Sequence, residues 1–210
     1  MAPVTHPLDD PVRASLTGAH AHLAQRRGGI LRYPPDVAPF LCLPRPPEGD
    51  DWAALADLAG TSNFVGVLVA PPADWTFVER GPGVQLIGDA VAAKPDAEAV
   101  PLGPADVPEI LDLVARTKPG PFRARTIELG TYLGIRRDGV LVAMAGERLH
   151  PPGWTEISAV CTDPAYRGQG LATRLLHAVI AVIRDRGDAP FLHAAAGIFA
   201  NRAQSDRRAP

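Results

Sequence analysis

The segment from Arg167 to Ala172 contains the residue types best suited to binding a ligand. It separates an apolar run that ends at Thr162 from a run with helical spacing of apolar residues. The start of a helix presents unpaired backbone N–H groups and the positive end of the helix dipole. Gly168 and Gly170 let an anion approach this backbone closely, and Arg167 adds a positive charge. The segment therefore predicts a site for a pyrophosphate-sized anion, and a tight turn without a ligand is the alternative.

Two other phosphate-binding motifs fit this segment less well. Gly168 and Gly170 begin a dinucleotide-binding pattern, but Thr173 stands where that pattern requires a third Gly or an Ala. The acidic residue that should end the following strand is absent, because Asp188 precedes that strand instead. No Lys-Ser or Lys-Thr pair follows the glycines, which argues against a P-loop.

The elements around the segment are predicted from apolar spacing and from turn residues. Asp138-Gly139 is typical of a type I′ hairpin turn, which predicts an antiparallel pair on either side of it. The order is strand, helix, three antiparallel strands, long helix and final strand, which does not suit a purely parallel α/β fold. The predicted elements are Ala99–Leu102, a helix starting at Gly103–Asp106, Leu129–Ile135, Val140–Leu149, Thr155–Thr162, Gly170–Arg186 and Phe191–Ala195.

The first half of the chain mixes helices and strands and contains no motif that carries chemistry. The predicted elements there are helices Pro11–Arg27 and Asp50–Ala59 and strands Ala38–Leu43, Asn63–Ala70, Trp75–Glu79 and Val84–Gly88. A linker-like stretch, Ala92–Ala99, follows. The 210 residues, 46% of them hydrophobic, suffice for two small cores. We therefore predict an N-terminal αβ domain over residues 1–94 and a second domain over residues 95–210.

The segment Arg167–Ala172 resembles the R/Q-x-x-G-x-G/A motif of the GNAT N-acetyltransferase superfamily. The resemblance extends over about residues 99–195, including the element order, and is closest to the glycine N-acyltransferase-like branch. The N-terminal domain is then either a degenerate acyltransferase-like domain or an acceptor-binding cap. It implies an α+β fold with a central, mostly antiparallel sheet flanked by helices. It also implies acetyl-CoA or another acyl-CoA as co-substrate, with its pyrophosphate on the motif and its pantetheine along the preceding strand. The residues assigned to this co-substrate are Val160, Cys161, Thr162, Arg167, Gly168, Gln169, Gly170, Leu171, Ala172 and Thr173.

Glu156 is the candidate catalytic residue. Strand side chains alternate between faces, which predicts that Glu156 shares a face with Ser158, Val160 and Thr162, opposite a core face of Ile157, Ala159 and Cys161. An acceptor amine arrives as an ammonium and must lose a proton before it attacks a thioester, and a carboxylate can accept that proton. The resemblance also implies a Glu base on this strand. The alternative is a solvent-facing Glu paired with a Lys or an Arg.

Several neighbouring residues have two interpretations each. Ser158 either binds substrate or completes a half-buried strand face, and Tyr166 either packs or takes part in catalysis. His193 either lines the cleft where the last strand splays from its neighbour or is a satisfied core histidine. The set Phe122, Arg123 and Arg125 either shapes the acceptor pocket or forms a surface loop.

The resemblance ends after Ala195. Its family usually continues with a helix that bears a general-acid Tyr and with closing strands, but Gly197–Pro210 contains neither feature. Protonation of the departing thiolate would then fall to water or another acid. The last strand is expected to be an exposed sheet edge, which the first half of the chain or the second subunit of a homodimer would cover.

Composition limits the partners. A net charge of -2 gives no broad basic field, and no apolar run approaches the ~20 residues of a membrane span, so we predict neither nucleic acid nor a membrane as partner. The start lacks the apolar region of a signal peptide, and Cys42 and Cys161 are expected to be buried free thiols. These features predict a cytoplasmic protein, and the histidine spacing predicts no metal. The expected function is N-acyl transfer to a small-molecule amine or amino-acid-like acceptor, and the alternative is a non-catalytic acyl-CoA-binding protein.

Overall fold

The computed structural model describes residues 6–44, 46–59, 72–73 and 83–195. The predicted strands Asn63–Ala70 and Trp75–Glu79 and the segment Gly197–Pro210 lie outside the described residues. The helices are α1 (Pro11–Thr17), α2 (Gly49–Ala59), α3 (Val107–Thr117) and α4 (Leu171–Asp185). The strands are β1 (Gln25–Arg27), β2 (Ile30–Arg32), β3 (Leu41–Cys42), β4 (Gly83–Ile87), β5 (Val100–Leu102), β6 (Tyr132–Arg137), β7 (Val140–Glu147), β8 (Trp154–Thr162) and β9 (Ala189–Ala195).

A six-stranded mixed sheet forms the centre of the molecule, in the order β4-β9-β8-β7-β6-β5. Strands β5 to β8 form the predicted antiparallel meander, whereas β9 pairs parallel to β8. The turn between β6 and β7 has positive φ angles at Asp138 (50°) and Gly139 (81°), as the Asp-Gly sequence predicts. The predicted α+β fold class is therefore confirmed.

The expected open edge at β9 is covered by the same chain. Strand β4 pairs antiparallel with β9 over five residues, from Gly83 opposite Ala195 to Ile87 opposite Phe191. A strand from within the predicted N-terminal domain thus completes the sheet of the second, although the boundary at residues 94 and 95 itself stays a prediction. The homodimer also stays a prediction, but this edge no longer supplies a structural reason for it.

One helix packs on each face of the sheet. Helix α4 places its apolar stripe, which includes Leu175, Val179 and Ile183, against β6, β7 and β8. Helix α3 buries Ile110 and Leu113 against the opposite face. The helix ends agree with the local sequence, since α4 stops at Gly187, whose φ of 87° leaves the helical region.

The N-terminal part of the chain packs against one end of the central sheet. The predicted helix Pro11–Arg27 is wrong, because α1 ends at Thr17 and the remainder turns back as β1. Strands β1 and β2 are joined by the two residues Gly28 and Gly29, a pair that favours a tight hairpin. The core of this part, which includes Leu16 and Tyr33, is continuous with Leu129, Leu149 and Phe191 around the central sheet.

The predicted strand Leu129–Ile135 begins later than expected, at Tyr132. Residues Thr126–Leu129 form a 3-10 turn instead. The Thr126 hydroxyl holds this turn in place, because it accepts a hydrogen bond from the Arg123 N–H and donates one to the carbonyl of Val37. The turn therefore joins the N-terminal part of the chain to the entry of β6.

His20 is a buried histidine at this junction. Its Nε2 lies 3.0 Å from the Leu129 carbonyl, to which it donates, and its Nδ1 lies 2.8 Å from the Tyr33 hydroxyl, from which it accepts. Burial, reinforced by the charges of His150 and then His22, lowers the pKa of His20 from 6.5 to about 4. Between about pH 6.5 and 4 the imidazole is therefore neutral in the folded protein, whereas the unfolded chain binds a proton there.

We expect this histidine to make folding stability depend on pH between about 6.5 and 4. The folded pKa is depressed, so its stabilising effect is present above pH 6.5 and is lost as the pH falls towards 4. A difference of about 2.5 pKa units corresponds to about 3 kcal/mol. Urea unfolding at several pH values gives the free energy of unfolding as a function of pH. The His20→Asn variant should lack the change between about pH 6.5 and 4, and the His177→Asn control should keep it. Equal slopes in the wild type and the His20→Asn variant would contradict the assignment.

Candidate functional site

The start of α4 offers unpaired hydrogen-bond donors to an open space. The N-cap is Gly170, which has no side chain to cap the helix, and the backbone N–H groups of Leu171, Ala172 and Thr173 have no partner among the described residues. Gly168 and Gly170 have φ angles of 79° and 74°, and a Cβ built on either would meet nothing within 4 Å. The positive φ angles favour glycine at both positions, and the absence of a side chain leaves the approach to the N–H donors clear. This geometry fits the predicted anion.

A cavity of about 470 Å³ lies in front of this helix start. Nine of the ten residues assigned to the co-substrate line it, and Gln169 does not. Thr117 and Pro119, at the end of α3, form the other wall. These two residues could not be predicted from the sequence, because they precede the motif by about 50 residues and carry no local signal of their own. Tyr166 also lines the cavity and packs against the core under α4, in agreement with its packing interpretation.

The sheet opens between its two parallel strands. The ladder between β8 and β9 consists of three pairs and ends where Glu156 lies opposite Phe191. Beyond this point β8 continues for six residues to Thr162, a length of about 20 Å. This edge of β8 leads from the opening to the cavity at the start of α4. An extended ligand with polar groups could therefore follow the strand backbone between the two.

A bulge in β8 reverses the predicted alternation of its side chains. Ala159 has a φ of 54°, and the register between β7 and β8 shifts at this point. As a result, Ile157 and Val160 pack on the α4 face, whereas Ala159 and Cys161 pack on the α3 face. The prediction that Ile157, Ala159 and Cys161 share one core face is therefore wrong, and so is the prediction that Glu156 shares a face with Val160.

Glu156 is a buried carboxylate whose oxygens are both occupied. Its exposed fraction is 0%, and Arg148 donates to Oε2 from Nε at 2.8 Å and to Oε1 from Nη2 at 2.5 Å. His193 lies 2.6 Å from Oε1 through its Nδ1. Burial alone would raise the pKa of Glu156, but the hydrogen bonds and charge of Arg148 outweigh it, so the pKa is lowered. Glu156 is therefore paired with an arginine, as the alternative interpretation has it, but it does not face solvent.

Arg148 is the residue of this site that the sequence did not reveal. It follows the last residue of β7, and its guanidinium carbon lies 4.8 Å from the centre of the Phe40 ring, which belongs to the N-terminal part of the chain. Burial disfavours its charge, but Glu156 outweighs this effect and raises the pKa of Arg148. A single arginine at a strand end has no recognisable pattern, so this pair becomes visible only in three dimensions.

The segment containing Phe122, Arg123 and Arg125 connects the two parts of the chain. The Phe122 ring packs edge-on against Tyr132 at 5.3 Å between centroids. Arg123 donates to the carbonyl of Pro35, and Arg125 pairs with Asp36 and Glu128. Contacts with the N-terminal part of the chain therefore explain the positions of both arginine side chains.

Cys42 and Cys161 are both buried, as predicted, and neither is part of a disulfide. The described part of the chain contains no group of three or more His, Cys, Asp or Glu side chains placed to hold a metal ion. Within the same residues, no helix combines the length and the apolar character that crossing a membrane requires.

The mixed sheet with helices on both faces matches the fold of GNAT acetyltransferases, and comparisons with known proteins identify the family. A sequence profile described as FR47-like protein matches residues 132–203. The crystal structure of a GNAT-family protein from Novosphingobium aromaticivorans is 39% identical to this chain, with a TM-score of 0.83 over 96% of this chain and 92% of that one. The chain belongs to the GNAT superfamily.

Two further relatives add to this result. A GCN5-related N-acetyltransferase from Kribbella flavida shares the fold, with a TM-score of 0.53 and 16% identity over 86% of this chain and 85% of its own. An uncharacterised protein of Mycobacterium leprae is 37% identical over 126 residues, which are 52% of this chain. The match covers 35% of the length of that curated relative. The assignment to the glycine N-acyltransferase-like branch stays a prediction.

Proposed function

We propose that the protein transfers an acetyl or other short acyl group from acyl-CoA to the amine of a small or amino-acid-like acceptor. The observation that carries the proposal is the start of α4, where two positive-φ glycines and three N–H groups without a partner in the described part of the chain face a cavity. This cavity adjoins the free edge of β8. Membership of the GNAT superfamily supports the same reaction.

The chain's own residues divide the work of binding. The backbone of Gly168 to Thr173 would hold the pyrophosphate, with Arg167 adding charge, and the edge of β8 at Val160–Thr162 would pair with the pantetheine. When bound, acyl-CoA supplies an activated thioester carbonyl. The opening beyond Glu156 and Phe191 would receive that carbonyl, because the β8–β9 ladder ends there.

The N-terminal part of the chain contacts the partner of Glu156. Phe40 lies beneath the guanidinium of Arg148, which pairs with Glu156. We therefore propose that the N-terminal part forms a wall of the acceptor pocket. This assignment agrees with the interpretation of the first half as an acceptor-binding cap.

One observation favours a second candidate, a non-catalytic acyl-CoA-binding protein. Both oxygens of Glu156 already accept hydrogen bonds, so this carboxylate cannot take a proton directly from an amine without breaking its pair with Arg148. Binding without turnover would follow if no other group accepted the proton.

Calorimetric titration with acetyl-CoA, combined with a thiol-release assay over a panel of small amines and amino acids, tests the proposal. We expect saturable binding of acetyl-CoA and thiol release that depends on at least one amine. Release without an added amine serves as the control for simple thioester hydrolysis. Binding with no amine-dependent release would support the second candidate, and absence of binding would exclude both.

A further inference from the structure

His193 lies at the mouth of the opening between β8 and β9. It follows Phe191, the last residue of the ladder, by two positions, so the two side chains share a face of β9. The His193 side chain is 37% exposed, whereas the side chain of Glu156 beside it is 0% exposed. The imidazole is therefore the solvent-facing end of a pair whose other end is buried.

The hydrogen bond within this pair determines which ring nitrogen can accept a proton. Glu156 is a carboxylate, because Arg148 lowers its pKa, and it can only accept hydrogen bonds. The 2.6 Å contact between its Oε1 and the Nδ1 of His193 therefore places the imidazole hydrogen on Nδ1. In the neutral ring Nε2 then carries the lone pair, and it has no hydrogen-bond partner among the described residues.

The surroundings of His193 combine one carboxylate in direct contact with an uncharged neighbour on β4. Glu156 on β8 is the anion in direct contact, and Arg148, next to β7, reaches the imidazole only through Glu156. The residue opposite His193 on β4 is the uncharged Gln85. An imidazolium formed at this position would thus keep its carboxylate partner at 2.6 Å.

We propose that Nε2 of His193 is the base that accepts the proton of the acceptor ammonium, with Glu156 as its positioning residue. This inference rests on the proposed function. Nε2 takes one proton from the ammonium, and the freed nitrogen forms a bond to the acyl carbon while the bond between that carbon and sulfur breaks. The second amine proton leaves with the thiol, and the imidazolium returns its proton to solvent. No other reactant is required.

The first test measures structure and needs no turnover. Nitrogen-15 spectra of the histidine side chains at neutral pH, with the His193→Gln variant used for assignment, report which ring nitrogen carries hydrogen. We expect His193 to be protonated at Nδ1 and to have an unprotonated Nε2. A ring with hydrogen on Nε2 alone would overturn the inference, whatever the activity of the protein.

The second test measures kinetics with the His193→Gln variant. The glutamine amide can still donate to Glu156 but cannot accept a proton from an ammonium, so we expect the fold to be kept. We expect kcat/KM for the amine to fall about 100-fold or more, with loss of the acid limb of its pH profile. The affinity for acetyl-CoA, measured by calorimetry, should change less than about twofold, because the variant should lose only the interaction with the proton.

His177→Gln is the matched control, since it removes an imidazole from α4 on the other side of the sheet and should keep the wild-type rate and pH profile. An active wild type with an unchanged His193→Gln variant would overturn the role of His193 and leave the proposed function standing. A wild type that binds acetyl-CoA but releases no thiol with any amine would overturn the proposed reaction, and the role of His193 with it. The tautomer measurement would then still decide whether the pair with Glu156 exists.

Discussion

Replacing Arg148 with methionine is expected to lower the free energy of unfolding by about 3–5 kcal/mol. The methionine would occupy a similar volume over Phe40, but it would leave Glu156 with an uncompensated charge at a position with 0% exposure. His193 would remain as the sole donor to that carboxylate among the groups seen around it. Burial would then dominate and the pKa of Glu156 would rise, so the variant should recover part of its stability when the carboxyl is protonated at low pH.

Arg136→Met is the matched control for this prediction. Arg148 pairs with one carboxylate, whereas Arg136 pairs with two, Asp106 and Glu109, but the side chains of these last three residues are about 30% exposed. Water therefore screens these pairs, and we expect a loss of about 1 kcal/mol or less. Urea unfolding of the wild type and both variants measures the difference. Equal decreases in the free energy of unfolding for Arg148→Met and Arg136→Met would show that burial does not make the loss of the Glu156 pair more costly.

The double variant Arg148→Met with Glu156→Met removes both charges, so it shows how much of the loss in Arg148→Met comes from leaving Glu156 unpaired. Replacing both members of a buried ion pair by apolar residues is often close to neutral. We therefore expect the double variant to unfold with less loss of free energy than Arg148→Met alone. A double variant less stable than either single variant would indicate that the two residues contribute to folding independently.

The parts of the fold that could be predicted from the sequence are those with local causes. The β6–β7 hairpin follows from Asp138-Gly139, and the end of α4 follows from Gly187, because both need positive φ angles that few residues adopt. The candidate anion site also depends on local sequence, since its glycines and the first N–H groups of α4 are adjacent in the chain. A stretch of a few residues thus determines each of these features.

The arrangement around Glu156 could not be predicted, because it depends on two non-local facts. The first is the bulge at Ala159, which shifts the face of every residue on one side of it. Nothing in the run of small and apolar residues marks it, and the register shift falls beside Gly146 of β7, which lies opposite Ser158. A Cβ at Gly146 of β7 would lie 2.2 Å from the Tyr132 ring, so the sheet accommodates that ring only beside a glycine.

The second non-local fact is the set of partners of Glu156. Arg148 comes from the end of β7 and His193 from β9, and the pairing of β8 with β9 brings all three together. Strand alternation predicts which way a side chain points but not what it meets. The role of Glu156 as a direct base stays a prediction, and the structure adds that this carboxylate is buried and already paired with Arg148 and His193.

Gly170→Ala is expected to weaken the binding of acetyl-CoA about 10- to 100-fold. Gly170 has a φ of 74°, and its Cβ would enter the open space in front of the donors of α4. The added methyl group either occupies the approach of the pyrophosphate or turns the backbone out of the left-handed region, which redirects the first N–H groups of the helix. Loss of one hydrogen bond to a charged group costs about 1.5–3 kcal/mol, which corresponds to this change in affinity.

Gly187→Ala provides a control with the same backbone strain at the opposite end of the same helix. Gly187 has a φ of 87°, and a Cβ there also meets nothing within 4 Å. Each alanine in the left-handed region should lower stability by about 1–2 kcal/mol, so melting temperatures should fall by similar amounts. Only Gly170→Ala should change the dissociation constant of acetyl-CoA in calorimetry. If both variants bind acetyl-CoA as the wild type does, the pyrophosphate does not lie at the start of α4. If both variants bind acetyl-CoA more weakly to the same degree, backbone strain in the helix explains the weaker binding, and the result no longer supports a pyrophosphate site at the start of α4.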